Sequence, residues 1–474
     1  AQLGNLGTTT GTPILGALAA AGVGPGDRVA AQVEKSIAAL ELYLGTVMAG
    51  GVFLPLNPAY TPAEVGYFLA DAEPRVFVCD PARRAALAAL AAGARILTLD
   101  GGGAGSLADA AAGQGPFTAV PRGPDDLAGI LYTSGTTGRS KGAMLSHDNL
   151  ASNAAVLADL WRFGPGDVLI HALPIFHTHG LFVATNVTLV SGGQVIWMPR
   201  FDADAVIAAL PRATALMGVP TFYTRLLDHP GLTREAVGGI RLFVSGSAPL
   251  LAETHRRWQA RTGTAILERY GMTETSMITS NPFDGDRIAG TVGFALPGVE
   301  VRVADPATGA PLAPGKVGSV EVRGPNVFKG YWRMPEKTAA EFRADGFFIT
   351  GDLGVLDGEG RLTLVGRSKD LIISGGFNVY PSEVEAAIDA LPGVRESAVI
   401  GLPHPDLGEA VAAVVVPEAG ATVDEAAILA ALTGSLARFK QPRRVFVAAD
   451  LPRNAMGKVQ KAALRSAHSG AFGG

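Results

Sequence analysis

Short apolar strands alternate with helices through the first half of this chain, and that alternation constrains its fold more than any other feature. Val29 to Val33 reads as strand, Ile37 to Ala49 as helix, Phe53 to Leu56 as strand, Pro62 to Ala72 as helix and Val76 to Cys79 as strand. Val168 to Ala172, Gln194 to Met198 and Leu242 to Val244 extend the series. Parallel strands need crossover helices, so the pattern predicts a parallel α/β sheet. After about residue 298 the rhythm changes: Val299 to Val303, Gly318 to Arg323 and Leu362 to Val365 read as antiparallel strands, a β-barrel-like part. A further unit contains a helix at Ser382 to Ala390, strands at Ala398 to Gly401 and Ala410 to Val416, and a helix at Val423 to Ala437. The 474 residues exceed what one hydrophobic core supports, about 250–300. The expectation is a large N-terminal domain over 1–368 and a small α+β domain over 369–474.

Charge and composition exclude several classes. A net charge of −4 and a pI near 6.1 argue against nucleic-acid binding through a basic surface. Cys79, the single cysteine, excludes an internal disulfide or thiolate cluster and reads as a core thiol. No apolar run approaches the roughly 20 residues of a spanning helix. Residues 1–26 carry no charged side chain, so the basic start of a signal peptide is missing. A soluble, cytoplasmic protein with a trimmed N-terminus is expected. Its oligomeric state is not legible.

The segment that carries chemistry is Thr133-Ser134-Gly135-Thr136-Thr137-Gly138-Arg139-Ser140-Lys141-Gly142, ten small, hydroxylated or basic residues after a predicted strand, Ala128 to Tyr132. Glycines let backbone N–H groups turn toward an anion, hydroxyls add donors and Lys141 adds charge, which suits a polyphosphate. It is not a Walker loop, because Gly142 stands where Ser or Thr would follow the lysine. Further on, Tyr270-Gly271-Met272-Thr273-Glu274 reads as a glycine turn after a strand at Ala265 to Leu267, with a hydroxyl and a carboxylate suited to a nucleotide phosphate and its Mg²⁺.

Taken together these segments resemble the adenylate-forming acyl-activating family, which includes acyl-CoA synthetases, peptide-synthetase adenylation domains and luciferases. The resemblance runs from about residue 26 to 465, with the family's opening helix and strand missing before residue 13. It implies ATP and CoA as small-molecule substrates and Mg²⁺ as cofactor. It also assigns residues. Thr133, Ser134, Gly135, Thr136, Thr137, Gly138 and Lys141 would cradle phosphate, Thr273 would touch the α-phosphate, and Glu274 with Thr133 would hold Mg²⁺. Tyr270, Gly271 and the Ser247-Ala248-Pro249 loop would border adenine. Asp352 would bind ribose, with Arg367 as a second nucleotide contact. Lys369 would be the hinge, Gly375 and Gly376 would line the pantetheine tunnel, and Lys458 would reach the carboxylate and α-phosphate during adenylation.

Two arginines bear on the acid. Arg225 falls about one and a half turns into a helix after Pro220, and Arg269 precedes Tyr270; both positions border the acyl pocket in the family. A buried arginine needs an anion, and a guanidinium suits a second carboxylate. With Phe176-His177-Thr178-His179-Gly180 and Thr273-Glu274-Thr275-Ser276-Met277, the chain looks similar to malonyl-CoA synthetases. His177 would gate the acyl site, and Thr178 and Met277 would bound the α-carbon pocket. The alternatives are a synthetase for another short-chain or aryl acid, or an adenylation domain that loads a carrier protein. A salt bridge from Arg269 to Glu268 is the structural alternative for that arginine.

Overall fold

The computed structural model describes residues 12–91, 93–115, 117–133, 140–454 and 457–472. Two α/β sheets make the bulk of the N-terminal domain. The first runs in the order Arg95–Thr98, Val76–Cys79, Arg28–Gln32, Val52–Pro55, Leu127–Thr133, Lys141–Ser146. Its strands are parallel except the last, which returns antiparallel from Leu127–Thr133. The second runs Phe294–Ala295, Ser276–Ser280, Leu267–Met272, Leu242–Ser245, Ala215–Gly218, Val168–His171, Gln194–Trp197. It is parallel from Leu267–Met272 onward and antiparallel at its other end.

Local chemistry explains the helices between them. Ser36 caps Ile37–Met48 by accepting from the Ala39 N–H. Thr61 and Glu64 form a reciprocal capping box on Pro62–Ala72, with proline in the first turn where no N–H is needed. Cys79 is fully buried at the end of its strand.

The third sheet is antiparallel, in the order Glu300–Ala304, Gly318–Arg323, Phe348–Leu356, Leu362–Arg367. It is a meander, the antiparallel part expected after residue 298, and among the described residues no pairing joins its outer strands. Phe348–Leu356 places Asp352 in mid-strand.

The smaller C-terminal domain is built on a sheet in which Val394–His404 pairs with Gly408–Pro417, flanked by Ile372–Ser374, Phe377–Val379 and Arg444–Val447. Val411, Ala413 and Val415 face one core, while Ala412, Val414 and Val416 face another. Both faces are covered, so the strand reads as an unbroken apolar run instead of alternating. No helix among the described residues is long and apolar enough to cross a membrane.

Candidate active site

The candidate residues gather at the carboxyl ends of the parallel strands in the second sheet, the usual ligand position in such sheets. The loops that follow Val168–His171, Ala215–Gly218, Leu242–Ser245 and Leu267–Met272 border it. Tyr270 and Gly271 belong to the last of these strands, at a bulge where its register with Ser276–Ser280 shifts. The sequence had placed them in a turn. A bulge re-aims neighbouring side chains and is common beside active sites.

Successive residues on Leu267–Met272 face opposite ways. Glu268 turns to His255, with Oε1 3.3 Å from Nδ1. Arg269 turns the other way, so the salt bridge to Glu268 does not form. Its guanidinium lies against Gly246, where a Cβ would stand 2.2 Å from Cζ, so only glycine leaves room for it. Arg269 is 4% exposed, and its Nε and Nη2 have no hydrogen-bond partner. Burial lowers its pKa to about 9, so it keeps its charge at neutral pH. An unpartnered buried guanidinium is costly, and a carboxylate offers the matching pair of acceptors.

The arch formed by residues 174–180 faces it. His177 is half-buried, and burial, with the charges of Lys458 and Arg269, brings its pKa to about 3. His179 Nδ1 lies 3.1 Å from Ser247 Oγ, and burial and Arg269 push its pKa well down. Thr178 is buried with its hydroxyl unpartnered, and Met277 is 2% exposed. Asn153, which no sequence signal marked, clamps the Met277 backbone with bonds of 2.8 Å to its carbonyl and 3.1 Å from its N–H.

Arg225 differs from Arg269. It is exposed on helix Pro220–Leu227, so burial makes no demand for a partner there. The argument from a buried unpaired charge therefore holds for Arg269 alone. Arg225 shares a helix face with Thr221, four residues earlier.

A second group of polar residues adjoins the first. The Tyr270 hydroxyl donates to Asp352 Oδ2 at 2.6 Å, and Arg367 Nε stands 3.1 Å from Oδ1. Asp352 and Arg367 are register partners on adjacent strands. Glu274 is buried, and burial raises its pKa. Its Oε1 lies 3.0 Å from the Tyr331 hydroxyl, which is also 2.7 Å from Glu341 Oε2. One phenolic proton serves two carboxylates. The hydroxyl can donate to only one of them, and the nearby Glu341 charge adds to the rise in the Glu274 pKa. Lys141 Nζ lies 3.1 Å from Glu341 and 3.9 Å over the Tyr331 ring. Tyr331 and Glu341 were not picked out from sequence, because a tyrosine after a glycine and a surface-type glutamate carry no distinctive spacing.

Thr133 ends its strand opposite Lys141, and Thr273 follows Met272 half-buried in the turn before Ser276–Ser280. Ser134, Gly135, Thr136, Thr137 and Gly138 lie outside the described residues. Ser247 and Ala248 are half-buried and Pro249 exposed in the loop after Leu242–Ser245.

The C-terminal domain places Lys458 between these groups. Burial and the Arg367 charge lower its pKa to about 8, against the pull of Asp352 and Glu274. Asn454 holds the turn: its Oδ1 accepts from the Lys458 N–H at 3.0 Å, and its N–H donates to the Lys458 carbonyl at 3.0 Å. Gly457 seats against Thr221 on helix Pro220–Leu227. Lys369 lies exposed in the short helix Ser368–Asp370. Gly375 and Gly376 make the tip of the hairpin between Ile372–Ser374 and Phe377–Val379, exposed to solvent, with Phe377 stacked on Phe439 at 4.7 Å.

Comparison with known proteins identifies the family. A family model described as AMP-binding enzyme matches residues 16–332, and one described as AMP-binding enzyme C-terminal domain matches 383–458. The structure of ATP-bound MatB from Rhodopseudomonas palustris is 63% identical and superposes with a TM-score of 0.97, covering 98% of this chain and 93% of that one. The apo form of the same protein gives 0.85. A feruloyl-CoA synthase from Amycolatopsis sp is 40% identical over 453 residues, 94% of this chain and 90% of the relative. A malonate–CoA ligase from Arabidopsis thaliana is 34% identical over 476 residues, 93% of this chain and 78% of the relative.

Proposed function

Because the chain belongs to the AMP-binding enzyme family, we propose that it ligates malonate to coenzyme A through an acyl adenylate, releasing AMP and pyrophosphate. The observation that carries the choice of acid is the buried, unpartnered guanidinium of Arg269 beside the arch of residues 174–180. An aryl acid such as the feruloyl relative's has one carboxylate, which the reaction consumes, and would leave Arg269 unpaired. Malonate keeps a second carboxylate for it.

The reaction begins when a carboxylate oxygen attacks the α-phosphorus of ATP and pyrophosphate leaves. The CoA thiolate then attacks the acyl carbon and AMP leaves. Charge builds on phosphate oxygens in the first step and on the carbonyl oxygen in the second, so fixed donors and cations do the catalytic work. Arg269 holds the distal carboxylate, with Arg225 as an outer cation on the neighbouring helix. Thr178 and Met277 bound the α-carbon, and Met277 favours malonate over methylmalonate. His177, neutral, closes the acyl side. Tyr270, Gly271 and Ser247-Ala248-Pro249 border adenine, Asp352 accepts from the ribose hydroxyls, and Arg367 steadies it.

Thr273 touches the α-phosphate, and Lys458 brings a positive charge to the reacting oxygens. The segment from Thr133 to Lys141 cradles the outer phosphates, for which Lys141 leaves Glu341. The donor set fits Mg²⁺: a buried carboxylate, Glu274, and a hydroxyl, Thr133, are hard oxygen ligands. When bound, the ion neutralises phosphate charge. The second step needs Gly375 and Gly376 where Lys458 now sits, so the small domain turns about Lys369, with the boundary at 368/369.

The test is AMP release with malonate, methylmalonate, succinate, acetate and benzoate, on wild type, Arg269→Met and Arg225→Ala. Malonate should lead the panel, and Arg269→Met should lose about a hundredfold or more in kcat/KM for it. Arg225→Ala should lose less. Equal use of acetate or benzoate, untouched by Arg269→Met, would return the protein to a general acyl-CoA synthetase.

A further inference from the structure

Lys35 takes no part in the chemistry above, yet it is 8% exposed and bonded across two sheets. It stands just after Arg28–Gln32 in the first sheet and reaches His171, the last residue of Val168–His171 in the second. Its Nζ lies 2.8 Å from His171 Nδ1 and 2.7 Å from the His171 carbonyl. On the far side of the ring, Nε2 lies 2.9 Å from the Gly180 carbonyl. A carbonyl only accepts, so Nε2 carries the proton and Nδ1 offers its lone pair to Lys35. Burial brings the amine pKa to about 6 and the imidazole pKa to about 3. At neutral pH both groups are uncharged, and the two N–H bonds of the amine match two acceptors. The Trp197 ring covers the pair, 4.5 Å from Nζ and 4.8 Å from the imidazole.

This chain of bonds ends on the acyl-site arch. The Gly180 carbonyl also accepts from Thr185 Oγ1 at 2.8 Å, within the π-helical turn His179–Thr185. Gly180 is pressed onto the start of the arch: a Cβ there would stand 2.1 Å from the Pro174 carbonyl oxygen. The Gly180 anchor therefore fixes both feet of the loop that carries His177, Thr178 and His179. Behind the loop is a cavity of about 70 Å³, lined by Lys35, Pro174, Ile175 and Phe176 among others. If the anchor slackens, the arch has space to fall back into.

We propose that Lys35 is a positioning residue that, through the tautomer and orientation of His171, holds the arch of residues 174–180 and so sets the fit of the acyl acid. The proposal rests on reading that arch as the acyl wall, but not on which acid binds there. Without Lys35, Nδ1 is left unsatisfied in a buried place, the His171 carbonyl keeps only the Met198 N–H at 3.1 Å, and the ring is held from its Nε2 side alone, by the Gly180 carbonyl and Thr185 Oγ1.

The experiment compares Lys35→Met with wild type in the full chain, measuring KM for the preferred acid, KM for ATP, kcat and melting temperature. Loss of the amine should raise KM for the acid about tenfold while KM for ATP stays within twofold. Lys35→Gln, which keeps amide donors, should fall between the two, and it supplies the measurement if Lys35→Met does not fold. An unchanged KM for the acid, or an equal rise for acid and ATP, overturns the positioning role. If the preferred acid is not malonate, the dicarboxylate reading fails separately, and the Lys35 effect is still read on whichever acid the enzyme uses.

Discussion

Lys458 shares its surroundings with two other cations, Arg269 and Arg367, and with the carboxylates of Asp352 and Glu274. Burial and Arg367 bring its pKa in the free enzyme to about 8. In the proposed role the amine acts as a cation, so it works below that value and loses its charge as pH rises through it. The kcat/KM of the adenylation half-reaction, followed by pyrophosphate exchange, should therefore fall along a basic limb near pH 8. Thioester formation from supplied acyl adenylate should lack that limb. A flat exchange profile from pH 7 to 9.5 would remove Lys458 from the reacting centre. Single residues of this kind were legible because they sit in motifs. Arg269 was singled out by resemblance, from its place before Tyr270 at the acyl pocket, but its want of a partner was not legible: that depends on Gly246 and on Glu268 turning to His255, which only the folded strand decides.

Elements were read well where the chain is periodic. Pro62–Ala72, Val76–Cys79 and Gly318–Arg323 stand where apolar spacing and flanking turns put them. Reading failed where site residues sit inside strands. Glycine at 271 read as a turn, yet Leu267–Met272 runs through it; Gly351 likewise lies inside Phe348–Leu356, and the register shifts beside both. Tertiary pairing outweighs the local cost of glycine in a strand. Lys141–Ser146 was likewise unseen, because a polar loop hides the return of the chain.

That strand leads into helix His147–Leu160 through a capping box: Ser146 Oγ accepts from the Asn149 N–H at 3.2 Å, and Asn149 Oδ1 accepts from the Ser146 N–H at 2.8 Å. Asn149 Nδ2 also donates to the carbonyls of Pro325 and Val327, at 2.7 and 2.9 Å. Ser146→Ala removes one cap and should cost about 1 kcal/mol of stability. Asn149→Ala removes the reciprocal cap and two buried tertiary bonds and should cost about 2–4 kcal/mol. Thermal unfolding of both variants orders them; equal losses would mean that the contacts to Pro325 and Val327 contribute nothing.

At the scale of the whole molecule, two domains are held in one of the arrangements the proposed reaction needs. Superposition is closer to the ATP-bound than to the apo form of the Rhodopseudomonas palustris relative, with TM-scores of 0.97 and 0.85. Among the described residues, two contacts that hold this arrangement across the proposed boundary at 368/369 stand out. Ser382, in the first turn of Pro381–Asp389, donates through Oγ to the Val365 carbonyl on Leu362–Arg367, and Gly457 rests on Thr221. A hinge that must open for thioester formation cannot be tied strongly, and one neutral hydrogen bond contributes about 1 kcal/mol, a fivefold shift between two states. Ser382→Ala deletes that bond while leaving every side chain of the proposed nucleotide and acyl sites in place. Adenylation, measured as pyrophosphate exchange, should slow up to about fivefold, because the arrangement that presents Lys458 is less populated. Thioester formation from supplied acyl adenylate should be unchanged or faster, since the opposite arrangement gains what this one loses. A serine needed only for folding would depress both half-reactions together, and that result would show that the contact with Val365 does not bias the domain rotation.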